Sequence, residues 1–287
     1  GNTGFLVANG HFKSVLEIPK ALKAIQAQLG NKPGAGIEYV KRLQRLGIIG
    51  EDIEAGQIHD ILKGATSGGL DMSLPVGRAG ESAAKKALRA LSYSYQTADA
   101  IPKIMAFESE LAAYKKAHPE WTDAKLDDHA AKIVHDTMPT YSRVSKGIKK
   151  LARFPFASDF VMFPAEVIRV TKNSIALARK ELSEPKTRSM GVRRSVGLAT
   201  QAAFIPAVAA LARYLVGVLP EEDEALHEFA PSWSTNSDFM YTGRSKDGVP
   251  TYIDLSYMDP WQYFRKPINA LWKDGAGEAA LETASTF

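Results

Sequence analysis

The sequence predicts an all-α, multi-helix bundle with long helices and one small β-hairpin near residues 239–255. Three observations carry that prediction. Apolar side chains recur at spacings of three and four through most of the chain, residues 195–219 form one long apolar run, and alternation of period two appears only around an Asp-Gly turn. With 287 residues, 45% of them hydrophobic, the chain can bury a substantial core as one large domain or two smaller ones.

The elements follow in order. Val15, Ile18, Leu22, Ile25 and Leu29 mark a first helix, with Asn9 as a capping oxygen ahead of it and Gly30 as a left-handed stop. Ile37, Val40, Leu43 and Leu46 give a shorter helix ending at Gly47, and a third runs from Glu51 to Lys63. The segment from Gly64 to Gly80 holds five glycines and a proline, which reads as a loop or hinge. A long helix follows from about Glu81 to His118, kinked at Pro102. Thr122 caps the next, whose first turn is acidic at Asp123, and Pro139 closes it.

From Asp159 to Leu182, Phe160, Phe163, Val167, Thr171, Ile175, Ala178 and Leu182 fall in one helical arc, and Arg169, Lys172, Arg179 and Lys180 in another. Such a basic amphipathic helix suits the surface of a soluble bundle, an anionic lipid surface, or a phosphate backbone. Beyond the apolar run, Phe239–Tyr241 and Thr251–Leu255 flank the Asp247-Gly248 turn, with Ile253 and Leu255 alternating against Asp254 and Ser256. Asp259-Pro260 then starts a helix through Trp261, Phe264 and Leu271, and residues 275–284 add a last short one. The expected organisation is therefore an N-terminal helical segment (1–64), a glycine-rich hinge (65–80), a long-helix bundle (81–229), and a hairpin with a C-terminal helix (230–287).

Residues 195–219 hold one charge, Arg213, sit behind Arg193-Arg194 and lead into Glu221, Glu222, Asp223 and Glu224. The run is long enough to cross a bilayer, and it is equally suited to the buried centre of a large soluble bundle. An arginine near the membrane centre costs roughly 2.5 to 3.5 kcal/mol on insertion scales, so Arg213 weighs against a permanent span, as do Pro206 and Gln201. Its alanines and glycines permit close helix packing. The candidate membrane or partner residues are Leu198, Phe204, Ile205, Val208, Leu211 and Leu215. Trp233, Tyr252, Tyr257, Trp261, Tyr263 and Trp272 concentrate just beyond, either as an interfacial belt or as packing for the hairpin and last helix.

Charge is unevenly spread. Residues 140–200 carry 13 basic and 4 acidic residues, and residues 201–287 carry 6 and 12, within a net of only +4. The absence of cysteine removes disulfides, thiolate catalysis and thiolate metal sites. The chain opens Gly-Asn-Thr-Gly without a signal-peptide pattern, and its ends look like cuts in a longer polypeptide.

Catalytic patterns are weak. The Gly34–Gly36 stretch lacks a third glycine and a preceding strand, so no phosphate loop is expected. The six histidines never fall at metal-ligand spacing, and Glu224-x-x-His227 is one copy of a pattern that a di-metal bundle needs twice. Ser183-x-x-Lys186 stands beside Pro185 and reads as a helix terminator. Glu108 and Glu110, two apart on a helix, face different ways and are expected in water. The sequence therefore argues for no enzyme and calls for no cofactor or metal.

Two stretches carry a resemblance: YSRVSKGIKKLARFPFASDFVMFPAEVIRVTKNSIALARKEL (141–182) and APSWSTNSDFMYTGRSKDGVPTYIDLSYMDPWQYFRKPINAL (230–271). With the apolar run between them, they resemble the helical module near the C-terminal ends of very large phage polypeptides, the large polyvalent and internal virion (ejection) proteins of short-tailed bacteriophages. The likeness covers about residues 140–272 and rests on compositional patterns without a catalytic signature. It implies a protein packaged in the virion with the genome, released through portal and tail, and rebuilt as part of a DNA conduit across the host envelope. The partners it implies are further copies of itself, the portal and other ejection proteins, genomic DNA and the host membrane. Arg169, Lys172, Arg179 and Lys180 would then face phosphates or anionic lipid, and Glu221 to Glu224 would stay in water. The alternative is a soluble scaffold domain that docks portal or neighbouring domains without entering lipid.

Overall fold

The structure, a computed structural model, describes residues 2–13, 36–50, 83–140, 158–259, 261, 262, 265 and 266. The predicted helices at Val15–Leu29 and 51–63, the hinge at 65–80, the basic stretch at 141–157 and the segments after 266 lie outside the described residues. Seven α-helices are described: α1 (Asn2–Ala8), α2 (Ile37–Arg45), α3 (Ala83–Ala117), α4 (Asp123–Thr137), α5 (Ser158–Ser183), α6 (Arg188–Val216) and α7 (Pro220–Phe229). Strands β1 (Phe239–Arg244) and β2 (Pro250–Asp254) pair antiparallel, followed by a 3-10 turn at Leu255–Met258. The mostly helical fold with one hairpin is the class that the sequence predicts.

The chain divides into two compact units: one takes Asn2–Met138 with Ser174–Ser195, the other Pro139–Asn173 with Val196–Phe287. Helices α5 and α6 each contribute one part to either unit.

In the first unit, the Thr122 hydroxyl accepts from the Lys125 N–H at the start of α4, as the sequence indicates, and α4 ends with Met138 extended ahead of Pro139. Gly47 closes α2 at φ +68°. Tyr39, Val40 and Leu43 supply the buried face of α2, whereas Ile37, expected inside, is 44% exposed. Tyr114, Leu126, Ile133 and Met190 form one apolar cluster, and Phe5, Leu6, Ile104 and Phe107 are buried besides. Arg42 makes a two-point ion pair with Asp127 and thereby ties α2 to α4.

Asn9 ends α1, and the following helix that it was expected to cap lies outside the described residues. The Asn9 side-chain amide donates to the Phe5 carbonyl at 2.8 Å and the Thr137 carbonyl at 3.1 Å. Gly10 follows at φ +73°, where a Cβ would lie 2.3 Å from the Arg193 carbonyl oxygen.

In the second unit the hairpin packs by aromatic stacking. The His227, Phe239 and Tyr252 rings stack in series at 4.1 and 4.0 Å, over Val218 and Tyr241. Register shifts between Tyr241 and Gly243 at a bulge. Leu255 is buried as expected, but Ile253 is 47% exposed: Tyr252 takes the inward position on β2, which reverses the expected parity.

Candidate interaction surface on the apolar helix

The part of α6 in the second unit, Val196–Val216, presents two unlike sides. At 100° per residue, Val196, Ala199, Ala203, Phe204, Ala207, Ala210, Leu211, Tyr214 and Leu215 occupy one half of the cylinder, and all are exposed. Leu211 is 57%, Leu215 72% and Tyr214 82% exposed. Leu198, Ile205, Ala209 and Ala212 occupy the other half and are partly covered. Of the six predicted contact residues, Phe204, Leu211 and Leu215 stand on the open half, while Leu198, Ile205 and Val208 are half-buried. Among the described residues α6 is the one helix long and apolar enough to cross a membrane, yet almost none of its apolar window is buried. Such an uncovered apolar face is unusual for a self-contained chain.

Polar contacts hold this helix in its middle and at its C-terminal end. Pro206 has no N–H to give to the Ala202 carbonyl, four residues back, and its ring crowds that oxygen. The Arg265 guanidinium takes up the vacancy, donating to the Ala202 carbonyl at 2.7 Å and the Gln201 carbonyl at 2.8 Å. Asp259 pairs with Arg265 at 2.5 Å. At the end of the run, Arg213 donates to Asp223 at 3.1 Å, and the Tyr241 hydroxyl donates to the other oxygen of the same carboxylate at 2.5 Å. Burial, with Asp223 alongside, pushes the Tyr241 hydroxyl above its ordinary pKa.

The acidic cluster was expected to stay in water, and half of it does not. Glu221 and Glu224 are exposed, but Glu222 accepts two hydrogen bonds from Arg244, each 2.7 Å, and one from the Leu219 N–H at 2.9 Å. Those bonds hold the Glu222 carboxyl down at about 2. Arg244 also reaches the Gly217 and Gly248 carbonyls. The carboxylates of the first turn of α7 thus anchor the hairpin to the end of α6.

In the first unit, the first turns of α6 end in a closed ionic network. Arg194 has no exposed surface. Its guanidinium donates to Glu110 at 2.9 Å, to both oxygens of Glu181 at 2.9 and 3.0 Å, and to Asn9 Oδ1 at 2.7 Å. Arg193 reaches Glu110 at 2.8 Å, Tyr114 donates to Glu181 at 3.1 Å, and the Ser174 hydroxyl donates to Asn9 at 3.2 Å. His11 bridges Glu110 at 3.2 Å and Ser109 at 3.0 Å. Two arginines face two carboxylates, so the network balances with His11 neutral, and burial does push that imidazole below its ordinary value. Burial alone would raise the Glu110 carboxyl; Arg194, with His11 and Arg193, outweighs it and holds the group well below the usual range.

Sequence reading missed this network and placed Glu110 in water. The signal was spacing: Phe107, Glu110 and Tyr114 form one stripe of α3, and Ser174, Ala178 and Glu181 one stripe of α5, so each acid stands in line with core residues.

The predicted basic residues separate. Arg169 is committed to the buried Glu166, at 2.9 Å through Nε and 2.5 Å through Nη2. Lys172, Arg179 and Lys180 are exposed. From Phe163 onward both carboxylates of α5, Glu166 and Glu181, are buried, which leaves its exposed charges all basic. Ser183 donates to the Lys180 carbonyl at 2.7 Å and Lys186 pairs with Glu120 at 3.0 Å, so neither faces the other as a nucleophile and base would. Among the described residues no three His, Asp or Glu side chains are grouped to hold a metal ion. No family model, curated protein or solved structure matches this chain.

Proposed function

We propose that this chain is a structural segment of a phage internal virion, or ejection, protein, packaged in the virion, and that the open half of α6 is the surface through which it joins a DNA conduit in the host envelope. The observation that carries the reading is the exposed apolar half-cylinder from Val196 to Leu215. A scaffold closed on itself would bury this run, whereas a conduit element keeps it for lipid or for a neighbour. The all-basic exposed charge of α5 supports contact with phosphates of DNA or lipid through Lys172, Arg179 and Lys180. The reading includes the portal, other ejection proteins and further copies of the chain as partners.

The test is flotation of the full chain with neutral and anionic vesicles at low and high salt, with duplex DNA as competitor. Flotation that survives high salt and is lost in Phe204→Ser/Leu211→Ser supports the envelope role. A second reading, a soluble scaffold docked to the portal, is favoured by the Arg213–Asp223 and Arg265 contacts, which fasten the Val196–Val216 part of α6 within the second unit. It predicts no flotation under any condition, and that outcome would remove the envelope role.

A further inference from the structure

Resting on that envelope reading, the geometry points to a more specific arrangement: we infer that α6 lies in the plane of a lipid leaflet, immersed on one side only, and does not cross the bilayer. Two features of the helix within the second unit argue this. At its C-terminal end Arg213 is engaged on Asp223, so it is not available to be drawn along the helix into the core. In the middle, the Arg265 guanidinium is bound to the Ala202 and Gln201 carbonyls. A crossing helix would carry that cation to the bilayer centre or break its contacts, while a helix lying flat keeps it on the protein side.

The occupant of the open half follows from size and chemistry. Half the surface of a twenty-residue helix, roughly 30 Å long and about 11 Å across, is about 500 Å². A stable two-chain interface takes roughly 800 Å² per partner, so one copy resting on another through α6 alone falls short. A leaflet sets no such threshold. The open half carries no charge, and the exposed acids Glu221, Glu224 and Glu228 follow it, a combination unsuited to a nucleic acid. Tyr214, Phe229 at 88% exposure and Trp233 at 63% belong to the same unit, and aromatic rings of this kind favour the headgroup boundary. Immersion is therefore driven by apolar and aromatic contact and needs no anionic headgroup.

Because the chain has no cysteine, single cysteines report one place each. Phe204→Cys and Leu211→Cys mark the open half, Ala209→Cys the covered half, and Ser189→Cys and Ser232→Cys the flanks. The full-length variants are labelled with an environment-sensitive dye and mixed with sealed phosphatidylcholine vesicles, with and without phosphatidylglycerol. The inference expects flotation on both compositions at high salt, a blue shift at 204 and 211 with none at 209, and both flanks open to an impermeant thiol reagent outside. A blue shift at 209, or protection of one flank, means crossing and overturns this inference while leaving the envelope role. Flotation confined to anionic vesicles at low salt also overturns it. No flotation of any variant or of the parent chain overturns both.

Discussion

Replacing Arg194 by Met keeps most of its volume and removes its charge, which leaves Glu110 and Glu181 as two buried carboxylates that only Arg193 and neutral donors serve. The lost contacts are four charge-assisted bonds of 2.7 to 3.0 Å, and all three charged groups are buried. Breaking one side of a buried ion pair destabilises by about 3 to 5 kcal/mol, mainly through the desolvated charge left behind. The assay is urea unfolding followed by hydrogen exchange of the α4 amides, which belong to the same unit. Its pH dependence identifies the cause. In the parent, the Glu110 pKa is depressed in the folded state, so its contribution is present above the unfolded value and fades as pH falls. In Arg194→Met burial outweighs the remaining donors and the Glu110 carboxyl rises above its unfolded value, so stability should instead improve as pH falls through it. The triple variant Glu110→Gln/Glu181→Gln/Arg194→Met should recover most of the loss. A destabilisation under about 0.5 kcal/mol, the size of an ordinary surface substitution, would refute the reasoning, as would a variant whose stability falls with acid like the parent's.

Gly10→Ala should destabilise the first unit by about 2 kcal/mol or more, since the residue sits at φ +73° and a Cβ would meet the Arg193 carbonyl at 2.3 Å; thermal unfolding by circular dichroism reads this. Tyr241→Phe removes one donor to Asp223 and should cost about 1 to 2 kcal/mol, seen as faster hydrogen exchange in the hairpin with α3 and α4 unchanged. Leu211→Ser should leave stability within about 0.5 kcal/mol because the side chain is already exposed, while vesicle flotation weakens; a large loss of stability would show that the face is covered within the chain. The Glu222 carboxyl should titrate near 2 by NMR and return toward its ordinary value in Arg244→Gln. Its depressed pKa means that the clamp on the hairpin opens as pH falls through that value.

Much of the scaffold could be read from residue order because its signals are local. Thr122 and Pro139 bracket α4, Gly47 ends α2, and Asp247-Gly248 turns the hairpin, each through the backbone geometry that the residue itself favours. The helix Asn2–Ala8 escaped because seven residues give too little period to recognise, and its worth lies in Phe5 and Leu6 being buried by distant segments. Ile253 was assigned inward on hydrophobicity alone, whereas stacking of Tyr252 on Phe239 sets the parity of β2. Of the candidate surface, the apolar helix was plain in the sequence and its open half was not, since exposure depends on which other segments arrive. The ionic network was hidden for the same reason: Asn9, Glu110, Glu181 and Arg194 lie on four separate elements, and only their shared burial makes them one feature.

The bond from Arg265 to the Ala202 carbonyl also bears on the order in which the chain matures. Residue 265 is synthesised well after residue 202, so the emerging helix carries an unanswered carbonyl at its proline until the later segment leaves the ribosome. Until then the apolar helix has a soft point at its centre and no guanidinium beside it. A nascent chain halted short of residue 265 should therefore be bound by chaperones at this helix for longer than one allowed to pass it, which gives the distant arginine a part in timing as well as in form.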